Sequence, residues 1–168
     1  MRTMKSITLT LALTLFQFVS QAQNFALPSD YKLETPADYD KYEDKFIECI
    51  NWLEITPINE EKKLRNQANL FLMTWLTGSP KVKVLIKSEI VTFMDNPDLL
   101  LIFLGSWARY SIESDDFENP IKGSTAGIHS VIEFYKKNKK VMPKNKAIEK
   151  YIKMQNKGTL EDHISKNA

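Results

Sequence analysis

Residues 95–111 of the chain read Asp-Asn-Pro-Asp-Leu-Leu-Leu-Ile-Phe-Leu-Gly-Ser-Trp-Ala-Arg-Tyr-Ser, and this stretch decides the fold. The Asp-Asn-Pro-Asp start combines capping residues, a proline in the first turn and an acidic residue, which predicts a helix from Pro97. From Leu99 to about Ser111 this helix is apolar on nearly all faces, a pattern typical of the buried centre of a domain. Gly105 in its middle predicts close contact with a neighbouring helix.

The rest of the chain predicts helices that surround this central one. Thr35-Pro36-Ala37-Asp38 begins a helix whose apolar residues recur every three or four positions. Further helices are expected from Asn59 to just before Gly78, over residues 85–94 and 124–138, and on either side of Gly158. Residues 81–84 alternate lysine and valine but are too few to predict a strand, and residues 114–123 read as a polar loop.

The predicted fold is therefore all-α, a single compact bundle of about five to seven helices around a central apolar helix of residues 97–111. This domain spans residues 35–168 and follows an extended leader of residues 23–34. No internal repeat and no Ser/Gly/Pro-rich linker divides it.

The N-terminus has the features of a cleaved signal peptide. Arg2 and Lys5 precede an apolar stretch of residues 7–19, and Ser20-Gln21-Ala22 follows, which predicts cleavage between Ala22 and Gln23. A membrane anchor is the alternative, but a spanning helix needs about 20 apolar residues and this stretch is shorter and contains Gln and Thr. The mature chain is expected to be soluble and exported, periplasmic or secreted, with no transmembrane segment.

Cleavage changes the charge of the chain. The precursor has 23 basic and 21 acidic residues. Because Arg2 and Lys5 lie in the signal, the mature chain has 21 of each and is neutral. Residues 23–118 carry 10 basic and 17 acidic residues, whereas residues 119–168 carry 11 and 4. This segregation allows the basic C-terminal part to pack across the acidic N-terminal part, a surface effect that salt would weaken.

Composition and motifs exclude several classes of protein. With 43% apolar and 26% charged residues, the chain is neither collagen-like nor of low complexity, and one cysteine excludes a disulfide-rich miniprotein. Cys49 shares a helical stripe with Phe46, Ile50 and Leu53, which favours a buried, inert thiol over a catalytic one or an intermolecular disulfide. Zinc, nucleophile-elbow and phosphate-loop motifs are missing from the sequence, and two histidines exclude a histidine-rich metal site. No cofactor is expected.

The best candidate for a ligand site is Trp107-Ala108-Arg109-Tyr110. Arg109 is the only charge between Asp98 and Glu113, on a helix expected to be buried. A buried arginine requires a carboxylate or several carbonyls, and Glu113 is one turn away. In the functional interpretation Trp107, Arg109 and Tyr110 capture an anionic ligand, joined by His129 from a later helix. In the structural interpretation, which we favour, Arg109 forms a satisfied ion pair near the helix end.

Two charged stretches are weaker candidates. The loop that carries Glu113, Asp115, Asp116 and Glu118 offers oxygen ligands for a cation such as calcium, but it lacks the EF-hand register, and a solvated loop is the simpler interpretation.

The lysines of residues 136–140 allow weak binding to an anionic surface, but they lack the arginines and interleaved aromatic residues of a specific nucleic-acid interface. A solvated helix end is the simpler interpretation for them. These lysines are Lys136, Lys137, Lys139 and Lys140.

Three short stretches carry a resemblance to other proteins. Residues 75–80 (Trp-Leu-Thr-Gly-Ser-Pro), the apolar run 99–104 and residues 126–128 (Ala-Gly-Ile) resemble small exported helical proteins of Bacteroidetes, a group with no assigned activity. The resemblance implies an exported helical domain and transfers no catalytic residue. Because the sequence contains no catalytic constellation, we expect a non-enzymatic binding or envelope-interaction module, with an enzyme or small anionic-ligand binder as the alternative.

Overall fold

The structure, a computed structural model, describes residues 25–168; the predicted signal peptide and its cleavage site between Ala22 and Gln23 lie outside them. Seven helices and no strands make up the described residues, which confirms the predicted all-α fold. Their bounds are α1 Pro36–Lys41, α2 Glu43–Ile55, α3 Lys62–Gly78, α4 Pro97–Ser114, α5 Pro120–Asn138, α6 Lys146–Asn156 and α7 Leu160–Asn167.

Helix α4 is the central helix that the sequence predicts. It packs against α2, α3 and α5, and half of its residues are buried. The Asn96 side chain accepts a hydrogen bond from the Leu99 N–H at 3.1 Å, and Pro97 occupies the first turn, as the sequence predicts. A Cβ on Gly105 would lie 2.6 Å from Ile50 Cδ1 of α2, so the expected close helix contact is confirmed.

Two element predictions are wrong. Residues 85–94 contain no helix: residues 85–87 have no regular structure and turns follow from Ser88, with the N–H groups of Ile90 and Val91 both donating to the Lys87 carbonyl. The β-branched run Ile90-Val91-Thr92 disfavours a helix. The irregular backbone is stabilised by the burial of Ile90, Val91 and Phe93.

Helix α5 begins at Pro120 and not at Ser124, because the Asn119 side chain accepts from the Lys122 N–H and caps an earlier start. The expected loop over residues 114–123 is correspondingly shorter. The other boundaries differ less. Helix α3 starts at Lys62 after a left-handed Glu61 (φ 47°), and a turn at Tyr42 separates α1 from α2.

The segment before α1 belongs to the packed domain. Residues 25–34 contain no helix, yet the Phe25 ring stacks on Trp52 with centroids 4.9 Å apart. Tyr31 meets the Phe71 ring edge-on at the same distance. Among the helices of residues 25–168, none is both long enough and apolar enough to cross a membrane.

Candidate functional site

The Arg109 side chain forms a polar cluster with α2. Its guanidinium donates to both carboxylate oxygens of Glu54, at 2.7 Å to Oε2 and 3.0 Å to Oε1. The Ser106 hydroxyl donates to the same carboxylate at 2.7 Å. The predicted partner Glu113 is wrong: it is exposed, whereas Glu54 faces α4 across the α2–α4 contact.

The two terminal nitrogens of this guanidinium have further partners. Arg109 donates to the Asn51 side-chain oxygen on α2 and, at 3.3 Å, to the Ser130 hydroxyl on α5. The cluster therefore joins α2, α4 and α5. Such a bidentate pair, with both charged side chains about four-fifths buried, fixes helix positions and engages both terminal nitrogens of the guanidinium.

The other residues of the predicted ligand site have separate partners. Trp107 is buried with its ring against Gly123, and the Tyr110 hydroxyl donates to Asp116 at 2.8 Å. His129 Nε2 lies 3.1 Å from the Glu161 carboxylate of α7. The structure thus gives Trp107, Arg109, Tyr110 and His129 different neighbours, with Arg109 in contact with Ser130, which follows His129 on α5.

An open groove of about 550 Å³ lies beside the Arg109 cluster, between the end of α2 and α5. Lys137 Nζ donates to the Glu54 and Ile55 carbonyls at 3.3 and 3.2 Å, where the negative end of the α2 dipole favours a cation. Lys136 pairs with Glu133 at 2.8 Å. The charged side chains of the groove are thus already paired. Its lining residues are Glu54, Ile55, Ser130, Glu133, Phe134, Lys136 and Lys137.

The lysine run is partly engaged in the same way. Lys139 Nζ lies 2.8 Å from Glu149, and this hydrogen bond raises the pKa of Lys139 and lowers the pKa of Glu149.

All ion pairs of residues 25–168 join two groups of the acidic part, before residue 119, or two groups of the basic part, residues 119–168. Packing of the basic part across the acidic part therefore uses no ion pair among the described residues.

The acidic loop after α4 is organised by local contacts. Asp115 ends the helix in a left-handed conformation (φ 50°), and Asp116 accepts from Tyr110 and, at 3.2 Å, from Asn119. Across residues 25–168 no group of three or more His, Cys, Asp or Glu side chains is placed to hold a metal ion.

Cys49 is fully buried, as its position on an apolar stripe predicts. Burial raises the pKa of its thiol, and its Sγ lies 3.7 Å from the Ala68 carbonyl. A neutral, inaccessible thiol is a poor nucleophile and cannot meet a second cysteine without unfolding.

The sequence interpretation overlooked Arg65, a buried cation. Only 5% exposed, it donates to the Thr56 and Pro57 carbonyls at 2.6 and 3.3 Å. Its guanidinium lies 5.8 and 5.9 Å from the ring centroids of Trp52 and Phe134. Desolvation lowers its pKa. Its position three residues before Ala68, on the buried stripe of α3, is the sequence signal of this burial.

A second overlooked feature is the edge segment, defined as residues 82–87 between α3 and the turns before α4. It runs without helix, turn or bend. Val82 is buried, Lys83 exposed and Val84 half-buried, an alternation that fits an extended chain on a protein surface, and Leu85, Ile86 and Lys87 are all exposed. The lysine–valine alternation of residues 81–84 is the sequence signal for this segment.

Exposed apolar side chains surround the edge segment. Val84 helps to line an apolar depression of about 160 Å³, formed by Met73, Leu76, Thr77, Val84 and Leu104. Met73 is 41% exposed, and Leu85 and Ile86, which follow Val84 in the chain, are 52% and 47% exposed. Leu70, 65% exposed, lies one turn before Met73 on α3 but lines a separate depression with Phe25 and Tyr31. Exposed apolar side chains beside an apolar depression are a feature of interaction sites.

Comparison with known proteins adds no family to this description. No family model, curated protein or solved structure matches the chain.

Proposed function

We propose that the protein is an exported, non-enzymatic binding module that holds a segment of another protein against the edge segment and the apolar depression. The observation that carries the proposal is the apolar depression lined by Met73 and Val84, together with the exposed side chains of Leu85 and Ile86, which directly follow Val84 in the chain. Keeping such side chains in water is unfavourable, and a partner that covers them gains the free energy of apolar burial.

The polar side chains favour a binding module over an enzyme. A reaction centre needs a nucleophile, a base or an electrostatic group that is free to meet the substrate. Glu54, Ser106 and Arg109 satisfy one another, and Tyr110 and His129 are paired with Asp116 and Glu161. The thiol of Cys49 is enclosed.

The sequence of the N-terminus supports export. A basic start, a short apolar stretch and a small residue at Ala22 are the pattern that signal peptidase recognises. The test is the intact mass of the protein recovered from the exported fraction of its source organism. A mature chain that begins at Gln23 is expected, and a full-length chain in the membrane fraction would contradict export by cleavage.

Binding is tested by placing a photoreactive amino acid at Leu85 or Met73 and irradiating cells that express the variant. Val141 is the matched control, because it is apolar and, like Leu85, 52% exposed. Both test positions are expected to give covalent adducts with the same partner protein. Equal or stronger adducts from Val141, or no adduct from either test position, would overturn the proposal.

A further inference from the structure

Four consecutive residues of the edge segment have unpaired backbone groups. From Lys83 to Ile86, no N–H or carbonyl group makes a hydrogen bond within residues 25–168. Pairing stops at both ends: the Val82 N–H donates to Ser79 Oγ at 3.3 Å, and the Lys87 carbonyl accepts from Ile90 and Val91 at 3.0 and 2.8 Å. An extended chain with open backbone groups is a template for an added strand.

The charges of this segment favour an acidic occupant. Lys81, just before it, is already taken by Asp40 at 2.7 Å and Glu43 at 3.4 Å. Lys83 and Lys87 are exposed and form no ion pair within the described part of the chain. Cross-strand pairs of opposite charge stabilise an added strand, and like charges destabilise it.

The alternation of an extended chain gives the order of side chains in the occupant. When the segment is paired as a strand, Lys83, Leu85 and Lys87 share one face and Val84 and Ile86 share the other, and Val84 lines the apolar depression. An occupant strand therefore carries acidic, apolar and acidic residues at every second position, and apolar residues between them.

A second copy of this chain is disfavoured as the occupant in two registers. An antiparallel pair centred on Val84 would place Lys81 of one copy opposite Lys87 of the other. A parallel pair in register would place each lysine opposite itself. Both arrangements put like charges side by side, the device by which natural edge strands avoid self-association.

We propose that the edge segment binds an acidic, extended segment of a partner protein by adding it as a β-strand to residues 83–86. This inference rests on the proposed function and specifies the partner's chemistry. The backbone supplies hydrogen bonds, Lys83 and Lys87 select carboxylates, and the apolar depression takes the intervening side chains.

The test titrates the isotope-labelled mature chain with a capped peptide of sequence Glu-Val-Leu-Val-Glu, and NMR spectra of the chain detect binding. Amide shifts and slowed amide exchange are expected at residues 83–86. The matched peptide Lys-Val-Leu-Val-Lys is expected to bind at least about tenfold more weakly, from two reversed charge pairs. The Lys83→Glu/Lys87→Glu variant is expected to reverse this preference, and thermal unfolding checks that the variant is folded.

Two further peptides separate strand addition from simple charge attraction. One is the glutamate peptide with its odd-numbered residues N-methylated, and the other is the same peptide with its even-numbered residues N-methylated. Because alternate N–H groups point to opposite edges of a strand, one methylated peptide is expected to lose binding and the other to keep it.

Equal binding of the glutamate and lysine peptides, equal binding of both methylated peptides, or no binding of any peptide would overturn the strand proposal. Photo-adducts from Leu85 and Met73 would then leave the proposed function standing with another mode of recognition. If neither peptide binding nor photo-adducts from Leu85 and Met73 are found, the proposed function as a binding module is overturned as well.

Discussion

Arg109 and Glu54 lie 55 positions apart in the sequence and form a two-point ion pair that joins α4 to α2. A third contact from Ser106 Oγ, at 2.7 Å, makes Glu54 the acceptor of the cluster. The pair fixes the central helix against its neighbour at a place where the apolar contacts of α4 give way to polar ones.

Glu54→Gln is expected to lower the free energy of unfolding by about 1–3 kcal/mol, because the mostly buried guanidinium of Arg109 loses its charged acceptor. Urea unfolding at neutral pH measures the change. Glu133→Gln is the matched control: this side chain is 66% exposed in its pair with Lys136, so a change within about 0.5 kcal/mol is expected. Equal effects of the two substitutions would contradict the stabilising role of the cluster.

Gly127→Ala is expected to destabilise the protein by about 1–3 kcal/mol. A Cβ at this position of α5 would lie 2.6 Å from Phe103 Cδ2 and 2.9 Å from the Phe103 carbonyl oxygen, and the α4 backbone cannot move aside freely. Gly105→Ala is the comparison, because its new Cβ would meet the end of the flexible Ile50 side chain and alanine favours a helix. Thermal unfolding of both variants measures the two changes in stability. A larger loss of stability from Gly105→Ala than from Gly127→Ala would refute this account of the α4–α5 contact.

Arg65→Ala is expected to cost about 2–4 kcal/mol, since it opens a space between Trp52 and Phe134 and leaves the Thr56 and Pro57 carbonyls without their donor. Lys63→Ala changes an exposed cation of the same helix, and its expected effect is below about 0.5 kcal/mol. Chemical unfolding measures the free energy of unfolding of both variants. A loss of stability from Arg65→Ala as small as that from Lys63→Ala would mean that the buried Arg65 side chain contributes little to stability.

Cys49 is expected to resist alkylation by maleimide in the folded protein and to react rapidly in concentrated urea. Burial encloses its Sγ and raises the pKa of the thiol, so thiolate is scarce in the native state. Mass spectrometry of a time course measures the labelling. Native labelling as fast as that of the unfolded chain would show that the residue is accessible after all.

Asp38 gives the start of α1 a predictable dependence on pH. Its carboxylate accepts from the Thr35 N–H and hydroxyl at 2.8 and 2.9 Å and from the Glu34 N–H, and these bonds lower its pKa. A lowered folded pKa means stabilisation that is present above the unfolded pKa and is lost as pH falls through the folded one.

The stability difference between wild type and Asp38→Asn is therefore expected to be largest at neutral pH and to shrink as the pH falls through the lowered pKa of Asp38 in the folded protein. Thermal unfolding across this range measures it, with NMR titration of the Asp38 carboxyl as an independent readout. A difference that persists at low pH would assign the effect to something other than the charge.

The sequence determines the helices of this protein because their signals are local. Asn96-Pro97 at the start of α4, the apolar residues that follow and the buried stripe around Cys49 all predict what the structure contains. A cap or a periodic stripe involves residues within a few positions of one another, so these signals can be read without tertiary structure.

Only the tertiary structure decides which groups meet. Arg109 selects Glu54 on α2 instead of nearby Glu113, and Lys137 reaches carbonyls more than 80 positions away. Residues 85–94 are not helical, and Ile90, Val91 and Phe93 within them are buried. Whether backbone groups such as those of residues 83–86 are paired depends on what packs beside them, a consequence of helix packing that no local pattern encodes.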